Sequence, residues 1–488
     1  MKKASIVFCA ILLIQFFITS VFAQPGDGWD LRRCVEYAMN NAVTVRQSEL
    51  DARNAELTLL QSERQRIPSL TGNMNHGLSF GRTLDRTTNI FVSRSAMFEQ
   101  LSLQSNALVY NFGSQRRQIE ANRYNAEAGK AAVDRARNDI GLNVANQYLR
   151  SLLSLEQVSL SRIVLRQTQA QLANTRKLVD AGTLPELNAA ELEATEARDS
   201  ATLVQATAQH RLDLLTLKSL LNLPADVPFE IIAPPADRIP VENILEQDPA
   251  GIYLMALSNQ PQIKGAQLRL LAADKALQAR KAQRLPSLNA FAQLNTNFNS
   301  FLQQTTGVNI TGESQTGAYV KSGTTMLPVY APTYNMTTGK KPFSDLWNGW
   351  GQQLRDQFGQ GIGLNISVPI YNGWQNRAAI ERAKIDMRRQ ELSLEQDSLR
   401  LKQDIYTAHE SAIGAWQTFQ AREKAVRTAE RSFELATKRY DIGVMQMIEW
   451  LTIQNNLTRA RIDRLVAQYD YIFRMKVLEF YKGKGLRL

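Results

Sequence analysis

The chain has 488 residues, a formal net charge of +11 and a mean hydropathy of −0.29. Beyond the first two dozen residues no run approaches the ~18 apolar residues that a membrane helix needs, which excludes a helical membrane protein but not a β-barrel, whose strands alternate. The basic residues are scattered and no recognition motif accompanies them, so the charge reads as a solvated surface and not as a nucleic-acid site.

Met1-Lys2-Lys3, an apolar run from Ile6 to Ile18, and Val21-Phe22-Ala23 read as a secretory signal peptide over 1–23, with Gln24 as the mature start. Cys9 leaves with it, and no lipobox cysteine marks a lipid anchor. The mature chain keeps Cys34 alone and forms no internal disulfide, so packing must hold the core.

The rest is a duplication. Arg66-Ile67-Pro68-Ser69-Leu70 matches Arg284-Leu285-Pro286-Ser287-Leu288, and Ala38-Met39-Asn40-Asn41 matches Ala256-Leu257-Ser258-Asn259, both at an offset of 218. Val109-Tyr110-Asn111 matches Ile370-Tyr371-Asn372, and Val179-Asp180-Ala181-Gly182 matches Tyr440-Asp441-Ile442-Gly443, both at 261. The change of offset places a 43-residue insertion between Leu288 and Ile370. The first repeat, 24–222, reads as a helix, strands over about 69–81 and 98–110, a long helix over about 114–180 and a helix over about 185–222. A proline-rich connector, 223–249, follows. The second repeat, 250–488, reads as a helix, strands over about 287–299 and 360–371, a long helix over about 375–441 and a helix over about 446–481. The segment 300–358 between its strands, rich in Gly, Thr, Ser and Asn, reads as an extracellular loop.

From Ser114 to Val179 there is no proline, and Ile140, Val144, Tyr148, Leu152 and Leu155 recur at three- and four-residue spacing. A helix of that extent is about 100 Å long and must pack side by side with others in a coiled-coil-like array. In the strands the period is two. Leu288, Ala290, Ala292, Leu294 and Phe298 alternate with Asn289, Gln293, Asn295 and Asn297, and Ile362, Leu364, Ile366 and Val368 alternate with Gly361, Gly363, Asn365 and Ser367. Leu70, Met74, Leu78 and Phe80, and Leu101, Leu103, Ala107 and Val109, form two further sets. Alternation sets one face in an apolar medium and the other in a polar one. A soluble sheet packed on helices would show the same period. Export and polar faces nearly free of charge favour a water-filled lumen, faced by Asn295, Asn297, Asn365 and Ser367, with Gln293 left unassigned. Four strands cannot close a membrane barrel, and open edges in lipid are costly, so several chains share one barrel; three give twelve strands.

The chain resembles the TolC family of outer-membrane factors. The resemblance rests on Leu285-Pro286-Ser287-Leu288, on Val368-Pro369-Ile370-Tyr371-Asn372-Gly373, on Leu220-Leu221-Asn222-Leu223-Pro224, and on Tyr440-Asp441-Ile442-Gly443 followed by Glu449, Leu451 and Gln454. It implies a mixed fold: a membrane β-barrel of twelve strands and a twelve-helix periplasmic tunnel, closed as a homotrimer. It implies a passive outer-membrane duct, gated at its periplasmic tip, that works with a periplasmic adaptor protein and an inner-membrane pump, either a proton-driven or an ABC exporter. It implies no cofactor and no catalysis.

The resemblance also implies site residues. The entrance would be held by Tyr440, with Asn188 where the family has an aspartate; Met445 stands in place of an arginine. Glu449 fits the first position of an acidic ring and Thr452 replaces the second. The adaptor-facing tips would comprise Asp180, Gly182, Thr183, Asp441, Gly443 and Val444. Gly182 and Gly443 suit left-handed helix caps, and Pro185 suits the first turn of the next helix. The sequence leaves open the helix rotation that would turn Glu449 into a lumen.

Other signals point nowhere. His76, His210 and His409 stand on separate elements with no metal-ligand spacing, and Gly359-Gln360-Gly361-Ile362-Gly363 lies inside an alternating strand without the spacing of a nucleotide loop. A structural coiled-coil protein of the envelope and an exported enzyme are the rival classes. The strands count against the first and the missing site against the second.

Overall fold

The computed structural model of the chain describes residues 28–85, 90–93, 95–232, 243–442 and 444–483. The signal-peptide expectation and Gly443 lie outside these. The chain divides into two compact units, a sheet unit (Leu57–Arg123 and Ala272–Met387) and a helical unit (Met1–Glu56, Tyr124–Leu271 and Arg388–Leu488).

In the sheet unit, β1 (Ser69–Ser79), β4 (Ala96–Tyr110), β5 (Ser287–Phe301) and β8 (Gly359–Ser367) form one antiparallel sheet in the order β1-β4-β5-β8, joining the two repeats through the β4–β5 pair. The short strands β2 (Arg82–Asp85) and β3 (Ile90–Ser93) pair with each other between β1 and β4. The segment read as a loop is largely regular: β6 (Gln303–Ser322) and β7 (Thr325–Lys340) make a long hairpin, followed by a 3-10 turn (Phe343–Trp347) and a short helix α7 (Trp350–Asp356). Three register shifts interrupt the hairpin, at Thr305/Gly307, Ile310/Gly312 and Gln315/Tyr319. Each resets the inward and outward alternation, so the sequence shows no sustained period of two although Thr, Val, Ile and Tyr supply strand propensity.

Both strand-to-helix corners are built alike. Asn111 Oδ1 accepts from the Gln115 amide (3.2 Å), and Asn372 Oδ1 accepts from the Asn376 amide (3.4 Å). Two left-handed residues follow each asparagine, Phe112 and Gly113 in one repeat, Gly373 and Trp374 in the other. From these corners start α3 (Ser114–Asp180) and α8 (Gln375–Asp441), each an unbroken helix of 67 residues.

The helical unit carries the duplication down to single contacts. Its entry helices are α1 (Leu31–Asn41) and α2 (Val43–Arg64), and α5 (Pro249–Asn259) and α6 (Pro261–Ala282) in the second repeat, with α2 from Leu57 and α6 from Ala272 belonging to the sheet unit. Ala42 and Gln260, both extended, separate the members of each pair. Asp30 and Asp248 cap α1 and α5, Asp30 accepting from the Arg33 amide (2.7 Å) and Asp248 from the Ala250 and Gly251 amides (3.0 Å each). One core gathers Cys34, Ala38, Val45, Ile140, Val144 and Leu217; the other gathers their equivalents Ile252, Ala256, Ile263, Leu401, Ile405 and Leu478. The Tyr148 hydroxyl lies against the Ile232 carbonyl, the nearer acceptor of its one proton, and the Trp29 carbonyl (3.1 Å), and at the equivalent place His409 donates from Nε2 to the Gln247 carbonyl (3.0 Å). Only the Nε2–H tautomer of His409 makes that bond, because a carbonyl only accepts. Cys34 is a fully buried free thiol, and burial pushes it up to about 12. It is therefore an inert packing residue.

The return helices are α4 (Glu186–Leu220) and α9 (Met447–Tyr481). Both end on a left-handed residue, Asn222 (φ 57°) and Gly483 (φ 84°), whose amides donate to Ser219 and Phe480 carbonyls. Arg176–Glu193 (2.7 Å) links α3 to α4, and Arg461–Glu430 (2.9 Å) links α9 to α8. Being exposed, such pairs contribute little and mainly set register.

Candidate functional site

The register sorts the sheet into two faces without ambiguity. Residues directly opposite in an antiparallel pair share a face. Asn295, Gln293 and Asn289 lie opposite Gly359, Gly361 and Asn365 on β8, and Ser287 lies opposite Ser367. Asn295 and Asn297 lie opposite Ser102 and Gln100 on β4, which lie opposite Asn73 and Asn75 on β1. All residues expected to face a lumen therefore share one face, polar and without a charge at these positions. The other face carries Leu70, Met74, Leu103, Leu294, Ile362, Leu364 and Ile366.

That apolar face is open over much of its length. Ile362 is 88 % exposed, Leu70 70 % and Leu364 66 %. A sheet packed on helices in water would bury these residues. Its end at Met97, His76 and Phe298 is covered by the segment after the long hairpin. Leu346 buries itself on Met97 and Phe298, and the Trp347 ring stacks on His76 (5.5 Å) and Phe298 (6.0 Å). Glu99 belongs to the apolar face too, and accepts from Trp350 Nε1 (2.9 Å). The outer strands β1 and β8 each have a single partner in the sheet. Among the described residues no further strand pairs with their outer edges, and an edge of that kind leaves backbone donors and acceptors unpaired.

In the helical unit the long helices end in helix-to-helix turns. Gly182 (φ +73°) follows α3; its amide donates to the Val179 carbonyl (2.8 Å) and the Thr183 amide to the Leu178 carbonyl (2.9 Å). This pair of bonds is the Schellman cap, and Thr183 Oγ1 adds a third to Leu178 (2.7 Å). The second turn repeats its longer bond, from the Val444 amide to the Arg439 carbonyl (3.0 Å). Pro185 stands one position before α4, with an extended ψ of 148°, and not inside its first turn as expected. The cap bonds use the chain through Leu184, so helical geometry resumes only at Glu186. Asp180, Thr183, Asp441 and Val444 are exposed.

Tyr440 stacks on Trp450 (5.4 Å), whose Nε1 donates to Thr437 Oγ1 (3.0 Å). This aromatic clasp between α8 and α9 was not anticipated from the sequence, since Trp450 matched no motif. Among the described residues no hydrogen bond joins Tyr440 to Asn188; the Asn188 amide binds the Pro185 carbonyl (3.1 Å). Glu449 is exposed in the first turn of α9, and Thr452 returns its hydroxyl to the Ile448 carbonyl (2.8 Å). Among the described residues no helix is long and apolar enough to cross a membrane, and no group of three or more His, Cys, Asp or Glu could hold a metal ion.

Comparison with known proteins agrees with this geometry. The family described as outer membrane efflux protein matches residues 347–480. The pyoverdine export outer membrane protein OpmQ of Pseudomonas putida is 23 % identical over 485 residues, covering 95 % of this chain and 86 % of its own. The alkaline protease secretion protein AprF of Pseudomonas aeruginosa is 20 % identical over 426 residues, covering 86 % of this chain and 76 % of its own. The outer membrane protein VceC of Vibrio cholerae has the same fold, with a TM-score of 0.67 at 15 % identity over 94 % of this chain and 97 % of that one. The outer membrane channel CmeC of Campylobacter jejuni aligns equally well, with a TM-score of 0.67 at 14 % identity over 93 % of this chain and 85 % of that one. The repeated order of helix, strand and helical hairpin, and the sheet that exposes an apolar face, thus belong to a fold shared with VceC and CmeC, and residues 347–480 carry the match to the outer membrane efflux protein family.

Proposed function

We propose that the chain is the outer-membrane duct of a tripartite export system. It is a transport protein and not an enzyme. Three copies close a barrel of twelve strands, with the apolar face in lipid and the face of Asn295, Asn297, Asn365 and Ser367 toward a water-filled lumen. The long helices extend the tube into the periplasm, and the hairpin of β6 and β7 lies outside the cell. The observation that carries this reading is the sheet: an exposed apolar face, an uncharged polar face and two free edges on one four-stranded unit. Lipid satisfies the first, a lumen the second and neighbouring copies the third. Protein extracted from outer membranes in detergent gives a native mass of three chains. A monomer, or a ring of even number, overturns the arrangement.

The tips at Gly182, Thr183, Asp180, Asp441, Gly443 and Val444 meet the periplasmic adaptor, which couples the duct to an inner-membrane pump. Tyr440, Asn188 and Glu449 form the entrance. Three Glu449 carboxylates around one axis attract cations in a narrow lumen. Stacking on Trp450 holds Tyr440 at the junction of the two helices and leaves its hydroxyl to bond across the entrance. A neutral bond of that kind contributes about 1 kcal/mol, weak enough for an engaged adaptor to break. In planar bilayers Glu449→Gln reduces cation selectivity and divalent-cation block, and Tyr440→Phe raises open probability. Unchanged conductance, selectivity and block in both variants refute the entrance while leaving the duct intact.

A further inference from the structure

The two strand-to-helix corners differ in one respect that their shared backbone does not require. At the first repeat's corner two carboxylates hold three cations, Glu63 facing Arg123 (3.7 Å) and Glu120 binding Arg116 (3.2 Å) and Lys275 (3.4 Å), while Arg66 has no carboxylate partner among the described residues. In the second repeat Lys281 occupies the position of Glu63, a reversal of charge. Arg284, Arg377, Glu381 and Lys384 are the equivalents of Arg66, Arg116, Glu120 and Arg123. Here Glu381 is paired with Lys384 (2.8 Å). Lys281, Arg284 and Arg377 have no carboxylate partner among the described residues.

These cations and the Glu381–Lys384 pair line a groove of about 870 Å³, four cations against one carboxylate, whose wall includes Ile370, Tyr371 and Trp374. The guanidinium of Arg377 lies 5.7 Å from the centre of the Trp374 ring. Ile370 is 93 % exposed and Tyr371 86 %. An open apolar run leads in sequence to this groove, Ile362, Leu364 and Ile366 on β8 and the exposed Val368 and Ile370 beyond its end. A cationic pocket at the foot of an apolar stripe, with Trp and Tyr at its rim, matches a molecule that carries phosphate at one end and hydrocarbon at the other.

We propose that this groove seats the headgroup phosphate of an anionic phospholipid, with Lys281, Arg284 and Arg377 as its ligands and an acyl chain along Ile370, Ile366 and Ile362. Arginine suits the role because its planar fork binds phosphate oxygens in pairs. The apolar stripe distinguishes a lipid from free phosphate, which has no use for it. The inference rests on the membrane-duct reading, since only then does the sheet end at a lipid headgroup layer.

The test uses the full chain assembled in detergent and native mass spectrometry. Phosphatidylglycerol and phosphatidylcholine with identical acyl chains are titrated onto wild type and onto the Lys281→Glu/Arg284→Gln/Arg377→Gln variant. Wild type prefers phosphatidylglycerol by roughly tenfold, and excess inorganic phosphate leaves most of it bound; the variant binds both lipids equally and keeps the wild-type assembly mass. Equal binding of the two lipids to wild type, or an undiminished preference in the variant, overturns the proposal. Complete displacement by inorganic phosphate makes the groove a free-anion site, and loss of assembly in the variant makes it a seat for a second copy; either result also overturns it. Insertion of wild type into phosphatidylcholine vesicles is measured separately. Its failure counts against the duct itself, and its success confines any negative lipid result to the groove.

Discussion

Replacing Ile362 and Leu364 together with arginine abolishes insertion of the protein into lipid vesicles, while Asn365→Arg inserts as wild type does. Ile362 and Leu364 are 88 % and 66 % exposed on the chain, so nothing in its own packing resists a longer charged side chain there. In water such surface changes stay within about 0.5 kcal/mol. Against hydrocarbon each arginine on the lipid face of a membrane barrel costs about 2–4 kcal/mol near the midplane. Asn365 directly follows Leu364 in sequence and lies on the opposite face, across from Asn289. Its arginine enters the polar face and alters ion selectivity, not insertion. Because the three positions share one strand, a general disturbance of β8 would affect all variants alike. Efficient insertion of the Ile362→Arg/Leu364→Arg protein assigns the apolar face to something other than lipid.

The division between faces was legible in the sequence because strand side chains alternate with a period of two, and Asn, Gln, Ser and Gly against Leu, Ile and Val leave no doubt about parity. The long helices were legible for the analogous reason at the helical period, and the constant offsets of 218 and 261 extended each reading from one repeat to the other. What escaped were features fixed by partners remote in the chain. Glu99 has the parity of the apolar set, yet the tryptophan that receives it lies 251 positions later in a segment with no readable period. The hairpin of β6 and β7 escaped because its register shifts break alternation. At the helical tips the sequence marked Gly182 through the cap it makes, but not the Tyr440–Trp450 stack, which depends on how α8 and α9 face each other. The reversal from Glu63 to Lys281 was open to inspection once the offset was known. It gained meaning only when the corners were seen to share a backbone and to differ in which cations find a carboxylate.

Gly182→Val leaves assembly and insertion intact but removes export, and the combination with Gly443→Val does so completely. Gly182 holds φ +73°, and a Cβ built there meets no atom within 4 Å. The cost of valine is thus confined to the backbone, about 1–2 kcal/mol for a side chain in the left-handed region and more for a branched one. The chain relieves it locally, by giving up the cap bonds of Gly182 to Val179 and of Thr183 to Leu178. None of the residues of the two cores lies in this turn, so the global fold keeps its stability. The loss falls on the positions of the exposed Asp180, Thr183 and Pro185, which the cap fixes relative to one another. A docking surface made of two such turns per chain fails when either loses its shape. Gly182→Ala separates shape from bulk: alanine bears the left-handed strain without branching, so export falls only in part. Export is scored by complementation of a strain lacking the duct, and assembly by the native mass in detergent. Wild-type export by the Gly182→Val/Gly443→Val protein removes the tips from the docking surface, whatever the fate of the barrel.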